Sequence, residues 1–443
     1  MEQLEKGARI LVVGGGAGGL ELVTRLGKRF GRSGELDVTL VDRTHSHLWK
    51  PLLHEVAAGT LNSNDDELSY LAHARWNHFA FRLGALAGID RTARRITLAA
   101  SLDADGNEYI PTRKFDYDLL VIAIGSVTND FGIPGVAEHC FFLDQREQAD
   151  AFHQHLIRAC YAADAQSRPI HSGQLHIAIA GAGATGVELA AELHHAVRTL
   201  VGFGLQHIDV EADIRIHLVE GSDRILPGLP QSVSESIHEA LERIGVIVHT
   251  GERVTRATPE GFETLSGRAI PAAIKVWAAG IKGSAVLSDL DGLEHGPTGQ
   301  LLVRPTLQTT RDERIFAMGD CAACPMPDSE RNVPPRAQAA HQQASHLATT
   351  IARLRKGKEP QPYLYRDFGS LINLAEHSAI GNLMGNLLGR HPANFPIEGR
   401  LARWAYLSLY KMHQVAVQGW ARTVLASTAD VLTRSSKPRL KLH

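Results

Sequence analysis

One pattern constrains this chain more than any other: a short apolar run followed by glycines in G-x-G-x-x-G spacing, present twice. Ile10 to Val13 leads into Gly14, Gly16 and Gly19, and a helix-forming segment over 20–30 follows. Ile177 to Ala180 leads into Gly181, Gly183 and Gly186, again opening a helical segment. In this pattern the first glycine permits a tight turn, the second lets backbone approach a pyrophosphate, and the third lets helix pack on strand. The phosphate then sits at the helix N-terminus. A single glycine turn also arises from conformational need alone. Its repetition in strand, turn and helix order predicts an α/β protein with two Rossmann-like dinucleotide-binding domains.

The strands that follow refine this reading. Residues 38–41 end at Asp42 and residues 214–219 end at Glu220, where a carboxylate accepts hydrogen bonds from a ribose diol. Glu220 points to NADH over NADPH, because a carboxylate repels a 2′-phosphate; the nearby Arg224 is read as a structural arginine. Three further strand-like runs end in glycine: 118–124 at Gly125, 275–279 at Gly280, and 314–318 at Gly319-Asp320. Asp320 either caps a helix or holds the ribityl or pyrophosphate part of a flavin nucleotide.

One dinucleotide unit interrupted by another, followed by a return to the first, resembles the flavoproteins of the glutathione-reductase type. That resemblance implies FAD in a discontinuous domain, 7–125 with 300–355, and NADH in 140–295. Residues 360–443 remain as a C-terminal region. The likeness sharpens at the segment running from His47 through Lys50, His54 and Glu55 to Ala57, where disulfide reductases carry a cysteine pair and this chain has none. Together with G-A-G-A-T-G-V-E-L at 181–189, W-A-A-G-I at 277–281, Gly319-Asp320 and A-Q-A-A-H-Q at 337–342, it is similar to bacterial type II NADH dehydrogenases. The similarity extends from about residue 8 to the C-terminus and is greatest to the enterobacterial type.

The resemblance implies a respiratory, non-proton-pumping NADH:quinone oxidoreductase that uses FAD, NADH and a membrane quinone. It implies a homodimer at the cytoplasmic face of the inner membrane, attached peripherally. Gln338 and Gln342, four apart and so on one helix face, match the family's quinone signature, which implies that both amides hydrogen-bond a quinone carbonyl, with Gln338 and Lys50 also beside the cofactor. Without the resemblance, two such amides would simply line a solvated face. Glu188 lies in the first turn of the second motif helix, where the helix N-terminus favours an acid. The resemblance instead places it near the flavin, assisting proton movement to reduced quinone.

Composition excludes other classes. Lys plus Arg at 46 against Asp plus Glu at 48 leaves no basic footprint for nucleic acid. Four cysteines make no disulfide framework and fit a reducing compartment. Cys321 and Cys324 form one C-x-x-C, but a structural zinc site needs four ligands, so the expectation is two thiols and no metal. A sulfide:quinone oxidoreductase would need a cysteine pair at the flavin, for which Cys160 and Cys321 are the only conceivable partners; a redox sensor that binds NADH is the non-enzymatic rival.

No apolar run approaches the roughly 18 residues of a spanning helix. Leu401, Ala405, Leu409, Met412, Ala416 and Trp420 recur at helical spacing, opposite Arg400, Arg403, Lys411, Gln414, Gln418 and Arg422. From 396 onward, eight Lys or Arg stand against two acids. An amphipathic helix of this kind over 400–425 can lie in the headgroup plane of anionic lipid.

Overall fold

A computed structural model describes residues 3–63, 67–103, 105–327, 329–375, 378–383, 395–399, 408, 411–433 and 440–441. It divides into two compact units, each assembled from separate stretches of chain. The first comprises Met1–Trp49, Glu67–Val127 and Ile281–Arg366; the second comprises Lys50–Asp66, Thr128–Gly280 and Asp367–His443. Residues 50–66, which follow the first glycine motif in sequence, therefore group with the second unit.

The first unit is built on a five-stranded parallel sheet in the order Ile315–Ala317, Leu119–Ile122, Ala8–Val13, Leu36–Asp42, Ala80–Leu83. Its central strand pairs on both sides, Ile10 with Leu119 and with Val38, which explains an apolar run without polar alternation. The first motif helix, Ala17–Leu26, follows, and helix Ala337–Leu354 packs against it. The expected helix over 20–30 starts three residues earlier and ends in a π-helical turn at Gly27–Gly31.

The second unit repeats the plan with four parallel strands, Ile247–His249, Ile216–Val219, Ile177–Ala180 and Ile274–Trp277. All four residues of Ile177–Ala180 are buried, and the strand feeds the second motif helix, Ala184–Gly202. A short helix, Leu53–Ala58, packs on that helix. An antiparallel sheet of Gly369–Leu374, Ser378–Leu383 and Phe395–Gly399 belongs to this unit as well.

The C-terminal helical segment differs from the single amphipathic helix expected over 400–425. Residues 411–418 are helical, Gly419 breaks the helix at φ +88, and a second helix runs Trp420–Thr433. A glycine in the left-handed region ends a helix because it carries no Cβ to strain. His413 and Val417 are buried, whereas Met412, Trp420, Val424, Leu425 and Leu432 are exposed. Arg400, Leu401, Arg403, Ala405 and Leu409 lie outside the described residues. Lys441 is turned inward: its N–H donates to the Gly59 carbonyl, its Nζ lies 3.2 Å from Asp150, and its own carbonyl bonds the His153 ring. Among the described residues, no helix is long and apolar enough to cross a membrane.

Candidate functional site

The two glycine motifs adopt matching geometry within their units. Gly14 and Gly181 sit at φ +107 and +100, and a Cβ on either would collide with backbone, Ala123 in the first unit and Ala279 in the second. A Cβ on Gly19 would overlap the carbonyl oxygen of Gly14, as one on Gly186 would that of Gly181. Gly16 and Gly183, in contrast, face open space. This is the arrangement a pyrophosphate requires: crowded behind the turn, free in front of it.

Both strand-end acids tie to their motif in the same way. Asp42 Oδ2 accepts from the Gly15 N–H at 2.6 Å, while its Oδ1 accepts from Thr44. Glu220 Oε2 accepts from the Ala182 N–H at 2.8 Å and its Oε1 from the Ser222 N–H. Arg224 donates to the carbonyls of Pro227 and Leu229, a structural use of its guanidinium.

The remaining first-unit positions converge on the Gly319-Asp320 turn. Gly319 has φ +71, and its N–H donates to Gln343 Oε1 at 2.6 Å. Asp320 accepts from Ser126 Oγ at 3.2 Å, next to Gly125, and its carbonyl accepts from Gln300. Gln343 is buried and fixes this turn, yet the sequence pattern singled out its neighbours; a buried amide beside two half-exposed ones is visible only once the helix has a partner. Gln338 lies half-buried in the first turn of helix Ala337–Leu354. Both ends of the Gln342 amide meet one residue: Nε2 donates to the Arg366 carbonyl at 2.7 Å and Oε1 accepts its N–H at 3.0 Å.

In the second unit, Lys50 Nζ stands 3.5 Å from Asp144, which also accepts from the Thr128 N–H and hydroxyl. Gly280 turns at φ +66 with Phe131 against it. Glu188 is buried on the second motif helix, but past its first turn, where the sequence had placed it, because the helix begins at Ala184. Its Oε1 accepts from the Asn373 N–H at 3.1 Å, and its Oε2 lies 3.8 Å from His54 Nδ1. Burial pushes its carboxyl up to about 8, with the nearby Glu55 and Glu192 adding to the rise and the Asn373 N–H opposing it. Burial likewise lowers His54 to about 4, so its imidazole is neutral. His54 and Glu55 belong to the segment matched by resemblance, but nothing in their spacing announced that they meet Glu188 and Glu192.

The four cysteines form no disulfide. All four are free; Cys321 Sγ donates to the carbonyls of Met318 and Ile122, and burial pushes the Cys160, Cys321 and Cys324 thiols up to about 11. Such thiols are poor nucleophiles at neutral pH.

Two Rossmann-like units, each with a strand-end acid tied to its glycine turn, define a two-nucleotide oxidoreductase. Residues 8–344 match the model of the pyridine nucleotide-disulphide oxidoreductase family, and the chain belongs to that family. A type II NADH:quinone oxidoreductase of Haemophilus influenzae is 42% identical over 98% of this chain and 99% of its own length, which places the chain among the type II enzymes. A type II NADH:quinone oxidoreductase of Staphylococcus aureus is 29% identical over 87% of this chain and 92% of its own. Among solved structures, NDH2 of Plasmodium falciparum in complex with NADH superposes with a TM-score of 0.81 at 18% identity, covering 98% and 100% of the two chains. The sulfide:quinone oxidoreductase of Aquifex aeolicus gives 0.72 at 18% identity, covering 93% and 92%, a likeness of fold.

Proposed function

We propose that this chain is a non-proton-pumping NADH:quinone oxidoreductase with bound FAD. The observation that carries the reading is the 42% identity to a type II enzyme across 98% of the chain, with both nucleotide turns intact. The rival donor, sulfide, needs reactive cysteines, and burial pushes the Cys160, Cys321 and Cys324 thiols up to about 11.

FAD is assigned to 7–125 with 300–355 through Gly14, Gly16, Gly19, Asp42, Gly125 and Asp320, and NADH to 140–295 through Gly181, Gly183, Gly186, Glu220 and Gly280. The residues fit FAD: open space before Gly16, a donor-bound acid at the strand end, and the Ser126–Asp320 pair fixed at 3.2 Å. When bound, the flavin supplies a two-electron carrier between nicotinamide and quinone. The protein then has little acid–base work beyond orienting rings and excluding water. Glu188 holds its proton in a buried setting and serves as the acid for the reduced quinone, with Lys50 beside the cofactor. Gln338 offers its amide to a quinone carbonyl. Gln342, from the same signature, acts by securing the chain at Arg366.

Membrane attachment is peripheral, at the cytoplasmic face and through 360–443, with a homodimer as the working assembly. Support comes from the exposed Met412, Trp420, Leu425 and Leu432, apolar groups of the kind that enter a lipid interface.

The decisive experiment measures NADH oxidation by flavin-loaded protein with a quinone and with ferricyanide, an electron acceptor that takes no proton. Glu188→Gln is expected to slow quinone reduction by about 100-fold, the lower end for general acid catalysis, and to leave ferricyanide reduction intact. Equal loss with both acceptors would remove Glu188 from the proton step. No NADH oxidation by wild type with any acceptor would overturn the enzyme reading and favour a sensor.

A further inference from the structure

We propose that His54, Glu55 and Glu192 form a binding site for one divalent cation of the zinc class, within the second unit. One nitrogen or oxygen of each side chain lies within 4.8 Å of the others, where the short helix Leu53–Ala58 meets the second motif helix. Closing that triangle around an ion requires movements of about an ångström, since ligands lie about 2.0 to 2.2 Å from zinc.

The imidazole supplies the observation that separates this group from a chance cluster of acids. His54 is almost wholly buried, and its Nε2 has no hydrogen-bond partner. That nitrogen faces Glu55 Oε1 at 3.9 Å. The ring's hydrogen bond goes elsewhere, to the backbone carbonyl of Pro51. A ring that gives its proton-bearing nitrogen to a carbonyl presents a lone pair at the other, which is the arrangement that orients metal-bound histidines. A buried nitrogen lone pair aimed at a carboxylate is otherwise unfavourable, and an ion between them reverses the sign of that contact.

The donor set selects the cation. One imidazole and two carboxylates without a thiol suit zinc, which takes nitrogen and oxygen ligands in fours. The fourth position is left to water. Magnesium prefers all-oxygen octahedral surroundings and keeps its waters, and copper(I) prefers sulfur. Glu55 is partly exposed and provides the entry. Thr60 Oγ1 already donates to Glu192 Oε2 at 3.1 Å and orients that carboxylate from behind. The ion would join residues 53–58 to the second motif helix, cross-linking two stretches far apart in sequence.

The test uses tag-free, flavin-loaded full-length protein and zinc alone as probe, with a chromophoric chelator as competitor. Wild type is expected to hold one zinc per chain more than His54→Gln, Glu55→Gln or Glu192→Gln, with no displacement by millimolar magnesium. Zinc should raise the melting temperature of wild type and not of the variants, as a ligand bound only by the folded state does. Flavin content and circular dichroism identify any variant that fails to fold. X-ray absorption at the zinc edge of wild type needs no variant: a shell of nitrogen and oxygen with a single imidazole supports the site, and sulfur or several imidazoles overturns it. Equal zinc in wild type and in folded variants overturns it too, as does the absence of bound zinc in wild type. None of these readouts depends on turnover, so a failed zinc test leaves the redox reading standing, whereas a bound ion would offset the Glu55 and Glu192 charges that help keep the proton on Glu188.

Discussion

The two motif helices carry a glutamate at the same position, Glu21 two residues after Gly19 and Glu188 two residues after Gly186, and the protein treats them oppositely. Both are buried. Glu21 accepts hydrogen bonds from the His341 ring and from Arg25, and Ser345 Oγ lies 3.3 Å away. Burial opposes its charge, but His341 and then Arg25 outweigh burial, and the carboxyl lies below its usual range. Glu188 meets a neutral imidazole, one backbone N–H and two other acids, so burial prevails and the proton stays on. The lesson is that a duplicated motif fixes where an acid stands, whereas its neighbours fix whether it is charged. One copy thereby becomes an internal ion pair and the other a neutral buried acid.

The largest effect expected breaks the symmetry of the motifs themselves. Gly19→Val should yield flavin-free protein, whereas Gly186→Val should keep flavin and lose NADH oxidation; both place a side chain where the first glycine's carbonyl already sits. Absorbance at the flavin band and NADH titration would separate them. Flavin loss from both variants would mean that the copies are not assigned one to each nucleotide.

Acid should distinguish the copies next. The Gly15 carbonyl is held by His47 Nδ1 at 2.9 Å and by the Tyr70 hydroxyl at 2.8 Å, whereas the corresponding Ala182 carbonyl accepts the Leu226 N–H. Burial lowers His47 from 6.5 to about 4. The unfolded chain therefore binds more protons between those values, so stability is full above pH 6.5 and is lost as pH falls towards 4. The amount is about 3 kcal/mol, taking ~1.4 kcal/mol per pH unit. Flavin release on acidification should follow this window, and His47→Gln, which keeps a donor without titrating, should lessen it without abolishing it, because burial also lowers His54 and His217 to about 4. An unchanged profile in that variant would place the acid sensitivity elsewhere.

The paired glutamates give a smaller and more direct contrast. Glu21→Gln should destabilise by about 1–3 kcal/mol, because His341 and Arg25 lose a charged acceptor. Glu188→Gln should cost under about 1 kcal/mol at pH 7, since the native side chain is already neutral. Denaturant midpoints of the two variants at pH 7 test this, and equal losses would erase the distinction. Last is the nucleotide preference: Glu220→Gln should narrow the NADH to NADPH ratio of kcat/KM by about tenfold, roughly 1.4 kcal/mol. No change would place selection outside the strand-end acid.

Much of this protein was legible in the chain because it is local mechanics. A glycine that must turn at φ near +100 and another that must let a helix touch a carbonyl leave a spacing signature, and Gly14 and Gly181 were identified without neighbours. The strand-end acids Asp42 and Glu220 follow from the same geometry. Tertiary structure decided what depends on partners remote in sequence. It gave Gln342 to Arg366, 24 residues away, and Gly319 to Gln343. It grouped residues 50–66 with the second unit and drew Lys441 inward to Gly59 and Asp150. It also set Glu21 beside His341 and Glu188 beside His54, for charge in a buried site is decided by whatever the fold brings within a few ångströms, and no periodicity encodes that.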